Sequence, residues 1–139
     1  MKQALHHLVV ETRGQGLTDI TARVAGWAHA QDMHTGLLTL WCRHTSASLT
    51  VQENADPDVQ ADIERFFGAL VPEDSERYAH QDEGPDDMPA HLRAMLTATQ
   101  LSVPLAEGQL VLGTWQALYL FEHRRARQHR DIVLHLLGE

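Results

Sequence analysis

The sequence contains one cysteine, one lysine and no run of 18 apolar residues, and each shortage removes a class of protein. With Cys42 alone there is no disulfide framework, and its apolar neighbours make it read as a small buried strand residue in a reducing compartment. The first seven residues, Met-Lys-Gln-Ala-Leu-His-His, hold no apolar signal core, and no run is long enough to span a membrane, so a cytoplasmic protein is expected. Lys and Arg number 11 against 19 Asp and Glu, a formal charge of −8, which argues against a partner that is nucleic acid or an anionic membrane. No Gly-x-x-x-x-Gly-Lys loop, Gly-x-Gly-x-x-Gly fingerprint or Gly-x-Ser-x-Gly elbow occurs, so neither a standard nucleotide fold nor a serine nucleophile is indicated. Repeats and low-complexity segments are also absent, and 139 residues are one domain's worth of chain, residues 1–139.

What the chain has in excess is histidine, ten residues in 139, which makes a metal or acid–base site worth seeking. Charge is unevenly spread: twelve Asp or Glu and two Arg lie between Glu53 and Asp87, whereas Arg124, Arg125, Arg127 and Arg130 crowd one turn near the end. Residues 4–12 read as a first strand. A helix capped by Thr18 or Asp19 follows to about Gln31, with Ile20, Val24, Trp27 and Ala28 on one side. From Leu37 to His44 the period is two, placing Leu38, Leu40, Cys42 and His44 on one face. Ser48 to Gln52 fits a short strand, after which Asp56 caps and Pro57 opens a helix with Val59, Ile63, Phe66, Phe67 and Leu70 on one stripe. Glu73 to Asp87 is a polar loop of about 15 residues, a length that usually lines a site. The helix opened by Asp87 and Pro89 is predicted to turn Met88, His91, Leu92, Met95 and Leu96 inward. Leu101 to Pro104 is a short extended piece. The run from Gln109 suits two central strands or one bent near Gly113, with Gln116 and Glu122 on a face of leucines, and residues 132–137 form a last strand.

The chemically capable stretch is His44 to Asp58, where a His, two hydroxyls, a Glu and an Asn lie between apolar segments. His44, His80 and His91 have positional reasons to converge, and neutral imidazoles from separate elements are a common way to hold a divalent transition metal. The other seven histidines read as surface or core groups. Glu53 and Asn54 precede a helix and are either capping groups or a general base and its neighbour. Thr45 and Ser46 either bind an anion or form a turn. Within the Arg cluster, Arg130 is the preferred anion contact because the strand after it fixes its position.

His44-Thr45-Ser46-Ala47, Glu53-Asn54-Ala55-Asp56-Pro57-Asp58-Val59, Asp62, Tyr78-Ala79-His80, Ala90-His91-Leu92 and Leu112-Gly113-Thr114-Trp115-Gln116, in this order, resemble the YjbQ family, whose members are described as secondary thiamine-phosphate synthases. The resemblance spans nearly the whole chain. It implies an α+β protein, a jelly-roll-like β-sandwich with about three helices, assembled as a homotrimer. His44, His80 and His91 match the family histidines and would be the metal ligands. Glu53, Asp58, Gln116 and Glu122 match positions expected to be catalytic, and Thr45, Ser46, Asn54 and Arg130 are expected to bind substrate. Two departures stand out: the family's Asn-Ala-Asp-Ala-His run is Asp87-Met88-Pro89-Ala90-His91 here, and the Arg-rich turn replaces a common Asp-Gly. The implied activity is a weak thiamine-phosphate synthase joining a pyrimidine diphosphate to a thiazole phosphate. Mg²⁺ prefers oxygen ligands, so the three histidines point to Zn²⁺ as cofactor. They thus raise a second expectation, a Zn²⁺-dependent hydrolase of a small phosphorylated or acylated metabolite with Glu53 as general base. A third is a trimeric, non-enzymatic protein binding a small anionic metabolite.

Overall fold

Alternating apolar residues build two antiparallel sheets whose inner faces meet. A computed structural model describes residues 1–139. In the five-stranded sheet the order is β1 (Lys2–Thr12), β8 (Gln128–Gly138), β3 (Gly36–Cys42), β5 (Gln100–Ala106) and β6 (Gln109–Leu110); in the three-stranded sheet it is β2 (Gly16–Asp19), β7 (Gln116–Glu122) and β4 (Ala47–Glu53). The strands divide five and three rather than forming two equal sheets of a jelly roll. Residues 54–99 leave β4 and return along it only as far as one bridge, Leu49 to Ala98, before β5 pairs with β3.

Leu8, Leu38, Leu40, Leu134 and Leu136 from the larger sheet meet Leu49, Leu118 and Leu120 from the smaller one, and Val24 and Ala28 of α1 (Thr21–Ala30) join the same core. The helix begins later than the sequence predicts. Residues 16–19 pair with β7, Ile20 N–H donates to Leu118 O, and Asp19 accepts from Thr21 N–H, so ladder bonds claim the residues that the cap pattern had assigned to the helix. The run after Gln109 breaks at Gly113, whose N–H donates to the Gln116 side chain at 2.8 Å. It therefore forms the two-residue β6 and a separate β7.

α2 (Pro57–Leu70) starts as the sequence predicts, with Asp56 accepting from Asp58 N–H at 2.9 Å and Pro57 in the first turn. Phe67 meets Phe121 of β7 edge to face, which explains why β7 is buried on both faces, yet Phe66 and Leu70 stay exposed. α3 (Asp87–Leu96) turns the opposite way from expectation. Asp87, Ala90 and Arg93 are buried, whereas Met95 is 81% exposed. The cause is polar: Asp87 pairs with Arg124, and Arg93 donates to Val71 O. A helix face that finds hydrogen-bond partners inside can be buried despite its charge. No helix is long and apolar enough to cross a membrane.

Candidate metal centre

Three donor atoms converge where the long loop runs into α3. His80 Nε2 lies 2.8 Å and His91 Nε2 3.1 Å from the same oxygen, Oδ2 of Asp87. The three ligand atoms all fall within 4.8 Å of one another. Asp87 and His91 come together because they are four residues apart on one helix face. His80 is delivered by the loop, whose 3₁₀ turn Ser75–Arg77 is stitched to it by Gln81 Nε2 donating to Ser75 O and Tyr78 O.

Hydrogen bonds to the outer atoms of His91 and Asp87 aim the inner atoms of the cluster at one another. His91 Nδ1 donates to Thr45 O at 2.8 Å, so its Nε2 presents a lone pair toward a carboxylate oxygen. Two electron-rich atoms at that distance need a proton or a metal ion between them. Asp87 is held below its ordinary pKa: burial pushes it up, but the His80 hydrogen bond and the neighbouring His91 and Arg124 side chains outweigh this. Its side chain is 2% exposed, while those of His80 and His91 are 44% and 30% exposed, so the cluster has a closed floor and an open top. Two imidazoles, one carboxylate and an open side form a donor set that suits Zn²⁺ with a position left for water or substrate.

His44, expected as the third ligand, does something else. Its Nε2 accepts from Asp131 N–H at 2.7 Å, and its Nδ1 stands 3.4 Å from the Arg130 guanidinium. Neither nitrogen has a lone pair to spare for a metal. Burial and then the Arg130 charge lower its pKa, keeping the ring neutral. Arg130, expected to grip substrate, is 5% exposed and committed to Glu122, with Nε to Oε1 at 2.8 Å and Nη2 to Oε2 at 2.5 Å. It also donates to Ser46 Oγ at 3.0 Å, so the half-buried Ser46 is engaged by the protein itself. Glu122 is fully buried and accepts from Thr12 Oγ1 as well. These three residues hold the 44–46 turn from behind. Thr45 alone of that group stays exposed.

The remaining expected residues lie elsewhere. Glu53 and Gln116 pair at the far end of the β4–β7 ladder, six residues beyond Ala47 (53 − 47), or about 20 Å from the turn. Glu53 accepts from Ala55 N–H and Asp56 N–H at 3.1 Å, which orders the turn before α2, whereas the cap itself is Asp56. Asn54 and Asp58 are exposed beside it. Sequence reasoning missed Asp87 as a ligand, though the Asp87–His91 spacing on a helix could have pointed to it.

A groove of about 790 Å³ opens beside the cluster, between the end of β3, the 44–45 segment and the exposed side of α3. His44, Thr45 and His91 share its wall with Trp41, Cys42, Arg43, Ala94, Met95 and Thr99. That volume is within the range that takes a small metabolite.

Fold and site together define an α+β protein of two antiparallel sheets with a two-histidine, one-carboxylate cluster whose His91 also lines a groove. The chain belongs to the YjbQ family: residues 6–139 match the family described as UPF0047 protein YjbQ-like. It is 48% identical over 132 residues to the UPF0047 protein sll1880 of Synechocystis sp., which covers 95% of this chain and 90% of that one. It is 46% identical over 121 residues to the YjbQ protein of Salmonella typhimurium, covering 87% and 85%. The crystal structure of the conserved hypothetical protein TT1486 from Thermus thermophilus superposes with a TM-score of 0.83 at 36% identity, over 95% of this chain and 99% of that one. The names of these relatives state no reaction.

Proposed function

We propose that the chain is a metal-dependent hydrolase of a small phosphorylated or acylated metabolite, with Zn²⁺ held by His80, Asp87 and His91. The observation that carries this reading is the meeting of three donor atoms, one of which, from His91, belongs to a residue that also lines the groove. A Zn²⁺ ion there would supply Lewis-acid polarisation and a water acidic enough to act near neutral pH. The chain's own residues would do the rest. His91 is aimed by Thr45 O, Asp87 is fixed by Arg124, and Thr45 lines the groove where the anionic part of a substrate would lie, beside Arg43, which is paired with Asp131 at 2.8 Å.

Thiamine-phosphate synthesis, the activity implied by the resemblance to the family, gains less support from this geometry. It needs cationic groups and a metal on a diphosphate. Yet Arg130 is consumed by Glu122, Glu53 and Gln116 lie about 20 Å along the sheet from the 44–46 turn within one chain, and Asp58 stands in the first turn of α2. The same family resemblance implies a homotrimer, and the exposed apolar side chains of the larger sheet are consistent with it.

Metal analysis of the purified protein tests the conclusion. One tightly held Zn²⁺ per chain, lost in folded His91→Ala and Asp87→Asn and retained in His44→Ala, is the expected result. A metal-free wild type after Zn²⁺ exposure and dialysis would sink it. Rescue of a thiamine-requiring strain, abolished by Glu53→Ala, would favour the synthase instead.

A further inference from the structure

A carboxylate–arginine system lies behind the donor cluster: it touches Asp87 directly and reaches the segment that holds His91. Arg124 reaches the start of α3 with its whole fork: Nε donates to Asp86 Oδ2 at 3.0 Å, Nη1 to Asp87 Oδ1 at 2.8 Å, and Nη2 to Glu83 O at 2.8 Å. Asp87 therefore turns one oxygen to the arginine and the other to the two imidazoles. α3 forgoes an ordinary cap for this. Asp86 stands at the N-cap position but makes no side-chain capping bond, because its carboxylate accepts from Arg124 Nε and from Arg125 N–H instead.

The base of this fork is fixed by Glu122. Its Oε2 accepts from the N–H of His123 at 3.0 Å and of Arg124 at 3.1 Å. Through its other contacts the same carboxylate grips Arg130, and Arg130 Nη2 donates to Ser46 O and Ser46 Oγ, next to the Thr45 carbonyl that accepts from His91 Nδ1. One buried carboxylate thus anchors two arms, one ending at Asp87 and the other at His91.

We infer that Arg124 is the positioning residue of the metal centre and that Glu122 is the post from which Arg124 and the His91-orienting turn are both hung. The inference rests on the metal reading of the cluster. Partners of this kind set the orientation of a ligand, and losing one typically costs roughly 10-fold to 100-fold in metal affinity. A guanidinium fork also fixes a carboxylate in plane, which a single ammonium cannot do.

The test is Zn²⁺ titration against a competing chromophoric chelator, with Co²⁺ absorption spectra as a report on ligand geometry. Wild type is compared with Arg124→Gln, Arg124→Lys, Glu122→Gln and Arg127→Gln, the last an exposed arginine of the same turn with no ion pair. Folding of each variant is checked by circular dichroism. Arg124→Gln should bind Zn²⁺ roughly 10-fold to 100-fold more weakly and show an altered Co²⁺ spectrum. Arg124→Lys should fall between it and wild type, and Arg127→Gln should match wild type. Wild-type affinity and an unchanged Co²⁺ spectrum in a folded Arg124→Gln or Arg124→Lys protein would overturn the inference while leaving the metal centre intact. Weakening in Arg124→Gln with none in Glu122→Gln would remove Glu122 from it. A wild type that takes up neither ion overturns the metal reading, and this inference with it.

Discussion

His123 has no exposed surface, its Nε2 shares a hydrogen bond with Ser48 Oγ at 2.9 Å, and its Nδ1 has no partner. Burial first, then the charges of Arg93 and Arg130, lower its pKa from 6.5 to about 3. The folded state thus refuses a proton that the unfolded chain accepts below pH 6.5. Its contribution to stability is complete above that pH and is lost as pH falls toward the folded value. From pH 7 to pH 5 the loss should be about 2 kcal/mol, read from urea unfolding at both values. In His123→Gln that share of the pH dependence should vanish; parallel profiles for the two proteins would contradict the assignment. At this scale sequence was a partial guide. His80 and His91 were legible because one sits in a long polar loop and the other on a helix opened by Asp87. The commitments of His44 and Arg130 were not, since they depend on Asp131 N–H and on Glu122, which approach through pairings no local pattern encodes.

Among the elements, α2 shows how much a local signal can carry. The Asp56 cap and Pro57 place its start within one turn, and Asp56→Ala should cost about 1 kcal/mol in unfolding free energy. Zn²⁺ uptake should be unchanged in that variant, because the cap stands by the Glu53 end of β4, away from His91. A loss below a few tenths of a kcal/mol would mean that the first turn is held by tertiary contacts instead. Where local signals compete with long-range ones they fail. Residues 16–19 carry a plausible helix cap, yet β7 captures them as β2. The apolar stripe of α3 reads as an inner face, but the charged face has Arg124 waiting on the other side, so the stripe is left bordering the groove.

For the whole molecule, the outer side of the larger sheet is the feature that asks for a partner. Leu5, Val9, Leu37, Trp41 and Leu137 are all exposed there, on β1, β3 and β8, which lie side by side. A row of apolar groups on a sheet face is the usual mark of an interface. If this face joins copies of the chain, sedimentation should show a trimer for the wild type and a smaller species for Leu37→Asp or Trp41→Asp. A monomeric wild type at micromolar concentration would refute self-association through it. Most strands and the three helices were legible because apolar periods of two and of about 3.6 report which residues face the core, whereas the layering of the strands into two sheets came only as an implication of the family resemblance. Assembly is less so, since an outward apolar residue looks the same in sequence as an inward one.

β8 lies between β1 and β3, pairing with both, from Lys2 opposite Gly138 to Cys42 opposite Ile132. An interior strand of the larger sheet is therefore supplied by residues 128–138. While the chain is being synthesised, β1 and β3 must wait with their inner edges open until that segment emerges. Such edges invite pairing with other chains, and contacts that span the full sequence slow closure. The period of greatest risk for this protein is thus the interval just before its last strand is in place, when aggregation competes with the final insertion.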